Sequence, residues 1–218
     1  MNTGDSKRNI VKRKPDRAFY DRDVINNIID EALVCHIGFS IEGQPYVIPT
    51  IHARQGDRLL FHGLKGGRML DHIKSGNDLC VTITLVDGIV LARSAFHHSM
   101  SYRSVVLFGT GAVIEDDLEK LEALRIITEH VVPGRWKDAR PPDARELKAT
   151  LVGAMVIADA SAKIRDGLVQ DDDEDFQLPV WAGCIPLRLQ ASAPVADPDL
   201  RKNLQIPEYA LNYIRGAG

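Results

Sequence analysis

Residues 35–54 read CHIGFSIEGQPYVIPTIHAR, and this stretch decides the fold class. The apolar period is two on either side of Ile41-Glu42-Gly43-Gln44, which predicts strands over 35–40 and 45–54 joined by a hairpin turn. In the second strand Val47, Pro49, Ile51 and Ala53 share one face, and Tyr46, Ile48, Thr50 and His52 share the other. Pro49 has no N–H to give to a ladder. It therefore predicts an edge or a bulge at this point, the kind of interruption where a ligand approaches.

Upstream, Asp21 is placed to cap a helix near 22–34, whose Val24, Ile25, Ile28, Ile29, Ala32 and Leu33 form one apolar stripe. Downstream, Gln55-Gly56-Asp57 turns into a short strand at 58–62, followed by a glycine-rich turn and a brief helix at 68–75 that Gly76 stops. Strands at 79–86 and 89–95 flank Asp87-Gly88, which reads as a hairpin turn. A long strand covers 102–114, with Gly109 and Gly111 implying curvature. Asp116 and Glu119 resemble a capping box ahead of a helix reaching Val131, and 150–158 reads as a last strand. Many short strands with helices only at the margins predict a mainly β (β+α) class and a small barrel.

The chain has 218 residues, 44% hydrophobic and 26% charged, a balance that builds a core without disulfides. Cys35, Cys80 and Cys184 are too few and too scattered for a secreted disulfide scaffold, and a reducing, cytoplasmic setting is expected. No apolar run is long enough for a membrane helix, which points to a protein without a membrane partner. A formal net charge of −3 argues against nucleic acid as a partner. The charge is uneven, however. Residues 1–17 form a basic arm with six Lys and Arg side chains against Asp5 and Asp16, read as solvated. The main domain spans 18–190, in which the acidic run Asp171–Asp175 reads as a solvated loop. A polar tail covers 191–218.

No metal site is expected, because seven histidines give no HxxxH and the cysteines give no CxxC. The cysteines sit in apolar strand contexts and read as core. The segment Phe61-His62-Gly63-Leu64-Lys65-Gly66-Gly67-Arg68 is different. A strand ends, a glycine turn bares backbone N–H groups, and Lys65 and Arg68 stand beside a helix start. That combination suits a phosphate; a plain exposed turn with wet cations is the competing reading.

Three stretches carry a family resemblance: Pro45-Tyr46-Val47-Ile48-Pro49-Thr50, then Phe61-His62-Gly63 with Lys65, Gly67 and Arg68, then Tyr102-Arg103-Ser104-Val105 with Gly109. Together they resemble the FMN-binding split-barrel family, in particular its pyridoxamine 5'-phosphate oxidase-like branch with the nitroimidazole-resistance flavoproteins. The resemblance covers about residues 17–190. It implies a six-stranded split β-barrel with peripheral helices, a homodimer, and FMN held in clefts between the subunits. On this resemblance Ile48, Pro49 and Thr50 line the flavin ring, Phe61 and His62 lie beside the ribityl phosphate, and Lys65 and Arg68 neutralise it. Ser104 matches a flavin-bonding polar residue. Val180-Trp181-Ala182-Gly183 is similar to a late W-x-G element, so Trp181 would cover the cleft.

For catalysis the candidates are His62, whose direction a strand end fixes, and His98, which with His97 precedes Tyr102 on a loop at the cleft mouth. Met69 replaces the basic residue that follows the arginine in the oxidase pattern, and no histidine follows His130. The arginine–histidine substrate element of true pyridoxamine-phosphate oxidases is therefore missing, and a different small-molecule substrate is implied. The resemblance thus implies an FMN flavoprotein with oxidoreductase activity. The alternatives are a non-catalytic flavin-binding or storage protein, or a split barrel holding haem or a deazaflavin.

Overall fold

A computed structural model of the chain describes residues 7–215. The first six residues of the basic arm, including Asp5, and the last three of the tail lie outside the described residues. The strands, in chain order, are β1 (Ala18–Phe19), β2 (Val34–Ile41), β3 (Gln44–Gln55), β4 (Arg58–Leu64), β5 (Asp78–Leu91), β6 (Ser99–Val113), β7 (Thr150–Val156), β8 (Asp159–Arg165) and β9 (Gly183–Pro186). The helices are α1 (Arg22–Glu31), α2 (Arg68–Lys74), α3 (Asp117–Val131), α4 (Ala144–Ala149) and α5 (Glu208–Leu211). The protein is thus mainly antiparallel sheet with few helices, the β-rich class read from the sequence.

Antiparallel pairings pass from β2 to β3, β4, β7, β6 and β5, and β5 pairs again with β2. β8 and β1 extend the sheet beyond β6, and β9 extends it beyond β5. The core lies inside this circuit, where Ile37, Leu59, Phe61, Val81, Ile83 and Val105 are fully buried beside Ile25 and Ile29 of α1. A smaller cluster joins Ala123 and Ile127 of α3 to Leu60 and Val152 on the outer side of β4 and β7.

Local sequence signals account for much of this. Asp21 accepts the N–H groups of Asp23 and Val24 at 3.0 and 3.1 Å and starts α1. Glu42 (φ +50°) and Gly43 (φ +81°) give the two-residue turn between β2 and β3 its left-handed backbone. Gly76 (φ +70°) donates to the Ile73 carbonyl at 2.9 Å and closes α2. At α3 only half of the expected capping box forms. Asp116 accepts the Glu119 N–H at 2.8 Å, but the Glu119 carboxylate instead meets Arg58 at 2.6 Å.

Asp87-Gly88 is a correction. It is not a turn: β5 runs unbroken through it as a 14-residue strand, with a bulge between Val86 and Gly88. Two partners distant in sequence hold the chain straight. Asp87 receives the Arg103 guanidinium at 2.7 and 2.9 Å, and a Cβ on Gly88 would lie 2.8 Å from Cys184 Sγ, so glycine admits β9 here. The chain reverses later, through a 3-10 turn at Ala95–His97 capped by Ser94.

The arm also departs from the solvated reading. Asn9 is buried and donates to the Ala160 carbonyl at 3.2 Å, and Lys163 Nζ donates to the Arg13 carbonyl at 3.0 Å. The acidic run is likewise partly engaged, since Asp171 pairs with Arg93 at 2.9 Å. Among the described residues no helix is long and apolar enough to cross a membrane.

Candidate functional site

β3 and β4 pair only from the tight turn at Gly56-Asp57 to His52↔Phe61. Beyond that point they part. β3 keeps β2 on one edge through residues 44–51, while β4 keeps only β7 through Leu64. The two-residue turns at both ends of β3 set its alternation, so Val47, Pro49 and Ile51 direct their backbone groups toward the open side. Pro49 thus falls where a missing N–H costs no ladder bond. The side chains of Ile48 and Thr50 are half-buried, and Ile48 packs on the core.

Past the split, Lys65 N–H donates to the Ala149 carbonyl at 3.0 Å, and Gly66 (φ +82°) turns the chain into α2. Lys65 and Arg68 are exposed. The Arg68 guanidinium lies over the Tyr46 ring, 4.4 Å from its centroid, and so spans from α2 to β3. Met69, which stands where the oxidase pattern has a cation, points into the core at 7% exposure. His62 is half-buried, and its Nδ1 is buried without a partner. Burial lowers its pKa below the ordinary imidazole value, which keeps the ring neutral.

The other expected site residues divide. The Phe61 ring is fully buried and packed against Gly153, so its side chain supports the strand from inside and offers a ligand no surface. Ser104 sits mid-sheet on β6 and donates to the Lys163 carbonyl at 3.3 Å. Trp181 is exposed and its indole covers Gly183. His98 Nδ1 lies 3.0 Å from the Ser94 carbonyl, and His97 Nε2 lies 3.2 Å from Asp172. These two histidines line a separate cavity whose walls include neither the β3 nor the β4 residues. The structure therefore groups Ile48, Pro49, Thr50, His62, Lys65 and Arg68 around the split and leaves His98 apart.

Cys35 is buried, and that burial pushes its thiol up to about 12, as suits a core residue. His97, Asp172 and Asp175 bring ligand atoms within 4.8 Å of one another, a juxtaposition that their sequence spacing does not reveal. Tyr46 joins the group around the split through Arg68, and its place on the half-buried face with Ile48 and Thr50 is legible in the strand alternation.

A family profile described as pyridoxamine 5'-phosphate oxidase matches residues 21–164, the stretch that holds the split and the glycine turn. The chain belongs to this family. Two solved structures are similar to most of its length. The flavocytochrome Anf3 from Azotobacter vinelandii is 39% identical, with a TM-score of 0.91 over 97% of this chain and 98% of its own. The FAD and heme binding protein from Mycobacterium smegmatis is 34% identical, with a TM-score of 0.85 over 88% of this chain and 95% of its own. No curated protein matches the chain.

Proposed function

We propose that the protein is a flavin-dependent oxidoreductase that holds a flavin nucleotide at the split between β3 and β4 and acts on a small molecule. The observation that carries this reading is the unpaired edge of β3 at Val47–Ile51, set beside two exposed cations, Lys65 and Arg68, at the glycine turn. An open strand edge offers hydrogen-bonding groups to a flat heterocycle, and the cations suit its phosphate. Lys65 and Arg68 would engage the phosphate that FMN and FAD share, so the FMN expectation widens to a flavin nucleotide of either length. The flavin would supply the electron chemistry; the chain's part is to bind, orient and polarise it. His62, neutral and fixed by its strand, would act through Nε2, because its Nδ1 is buried.

A haem is the second reading, supported by the names of both similar structures. Five of the seven histidines have ring partners in backbone carbonyls or Asp172. His36 and His62 are the two for which none is found among the described residues. Exposed His36 lies across from Pro49, on an outer face where Val34, Val47 and Ile51 are also exposed. An apolar face with a free imidazole suits a haem, and it equally suits a second copy of the chain. The split-barrel resemblance implies a homodimer, and we propose that it forms through this surface.

The absorption spectrum of the purified protein tests these readings together. Flavin bands bleached by dithionite are expected, with a Soret band if haem is also held. A colourless protein that takes up neither added FMN nor added FAD would overturn the proposal. Turnover with a reduced nicotinamide donor and a quinone or nitroaromatic acceptor separates an enzyme from a flavin store.

A further inference from the structure

We propose that the cavity between the N-terminal arm, the turn before β6 and the end of β8 binds the diphosphate group of a small molecule. It measures about 620 Å³ and is lined by Arg13, Lys14, Arg17, His97, His98 and Arg165, with the carboxylates of Asp171 and Asp172 also on its wall. The cavity is distinct from the split described above, and it absorbs the basic arm, which the flavin reading leaves unused.

Arg165 carries the argument. It is only 6% exposed, and its Nη1 donates to the Met100 carbonyl at 3.2 Å. Among the described residues no carboxylate lies within ion-pair distance of it. A largely shielded guanidinium without a counter-charge is unfavourable, and its remaining donors, which are not buried, are free to take an anion in the cavity. The two carboxylates on the cavity wall are already engaged. Asp171 accepts the Arg93 backbone N–H at 3.0 Å and its guanidinium at 2.9 Å, and Asp172 meets His97 at 3.2 Å. Asp16 and Asp166 border a smaller adjoining hollow of about 230 Å³, and neither pairs with Arg17 or Arg165.

The arm presents its cations in a fixed arrangement. Lys14 adopts a left-handed backbone (φ +57°), uncommon for a residue with a side chain, and this bends the arm into the 3-10 turn Pro15–Arg17. The Arg13 carbonyl is held by Lys163, and Ala18 and Phe19 pair with β8 directly after the turn. Positioned like charges repel one another when the cavity is empty, whereas a bound polyanion reverses that term at little further ordering cost. The volume falls in the small-molecule range and exceeds what a lone phosphate fills. A diphosphate carries about two to three negative charges near neutral pH, within what the four cations on the wall can balance, and offers oxygens to several guanidinium forks at once. A flavin dinucleotide at the split would already have the first of its two linked phosphates at Lys65 and Arg68, so the diphosphate here belongs to a separate nucleotide, and the proposal does not rest on the flavin reading.

Calorimetric titration with ADP tests this, using the protein as purified and the same protein after exhaustive high-salt dialysis. ADP should bind the dialysed protein, more weakly as salt rises, with affinity falling at least tenfold in Arg165→Gln and several-fold in Arg17→Gln. The second variant changes a half-exposed arm residue and guards against misfolding of the first. Binding to the flavin-loaded protein identifies a separate nucleotide. Binding only after dialysis, with both variants losing FAD affinity, would make the cavity part of the flavin site and overturn the proposal of a separate nucleotide. No ADP binding after dialysis, or affinity unchanged in both variants, overturns the proposal. The readout is heat, so it stands even for a colourless protein, and its failure is separable from failure of the flavin reading.

Discussion

The Arg68 guanidinium rests on the face of Tyr46, 4.4 Å from the ring centroid, and so ties the first turn of α2 to the free part of β3. Tyr46 in turn stacks on Phe39 of β2, with ring centroids 5.5 Å apart. A cation otherwise free to wave in solvent is thus directed along the mouth of the split. Preorganisation of this kind lowers the entropy cost of capturing a phosphate.

Arg68→Ala should therefore weaken flavin binding by about tenfold or more, the equivalent of one charge-assisted hydrogen bond. Tyr46→Leu leaves the charge but releases its platform, and should weaken binding by a smaller factor, about threefold. Flavin fluorescence titration measures both. Unchanged affinity in Arg68→Ala would place the phosphate elsewhere.

Acid should destabilise the fold through His52. The ring is fully buried, and burial holds its pKa down to about 4 from 6.5, while the nearby His130 is lowered too. Below the ordinary value the unfolded chain binds a proton that the folded chain refuses. The contribution is therefore complete above about pH 6.5 and lost as pH falls toward about 4. At about 1.4 kcal/mol per pKa unit, roughly 2 kcal/mol should be gone by pH 5. Urea midpoints at pH 7 and pH 5 check this. His52→Phe should flatten the difference, and parallel losses in the two proteins would assign the effect to another group.

Gly153 faces Phe61 so closely that a Cβ there would lie 2.4 Å from the ring. Phe61 is fully buried and cannot swing aside into solvent. Gly153→Ala should thus destabilise by about 1–3 kcal/mol through overpacking. A chemical-denaturation midpoint equal to that of the unchanged protein would contradict the close packing of β4 on β7.

Arg215 binds the tail to two helix ends. Its guanidinium donates to the carbonyls of Asp30 and Glu31 at 3.0 Å and of Ala32 at 3.2 Å, as well as to the His130 carbonyl. These are carbonyls that helices α1 and α3 leave unsatisfied at their C-terminal ends. Arg215→Ala should cost about 1–3 kcal/mol, seen as a melting temperature lowered by several degrees. Arg215→Lys should recover part of the loss, because one ammonium reaches fewer carbonyls.

Near neighbours in sequence were the readable part of the site. The glycine turn with Lys65 and Arg68, the open position of Pro49 and the strand-end placement of His62 all follow from local rules. Phe61 was readable only as a strand residue, because whether its ring faces core or cleft depends on β7, which lies ninety or so residues away in the register Phe61↔Gly153. His98 was legible as a loop histidine. The cavity it faces is built by the arm and by residues near 170, whose approach no spacing announces.

By itself the sequence determined the β-rich class, the turn at Glu42-Gly43, the Asp21 cap and the cations of the glycine turn. Periodicity, left-handed backbone and capping act within a few residues, so their energies are written locally. Only the tertiary structure decided that Asp87-Gly88 runs straight, that Arg103 joins Asp87 to Glu31, 72 residues from it in sequence, and that the basic arm lies on β8. Those outcomes turn on which distant surfaces meet. A turn-forming dipeptide yields when an ion pair and a neighbouring strand together outweigh its local preference.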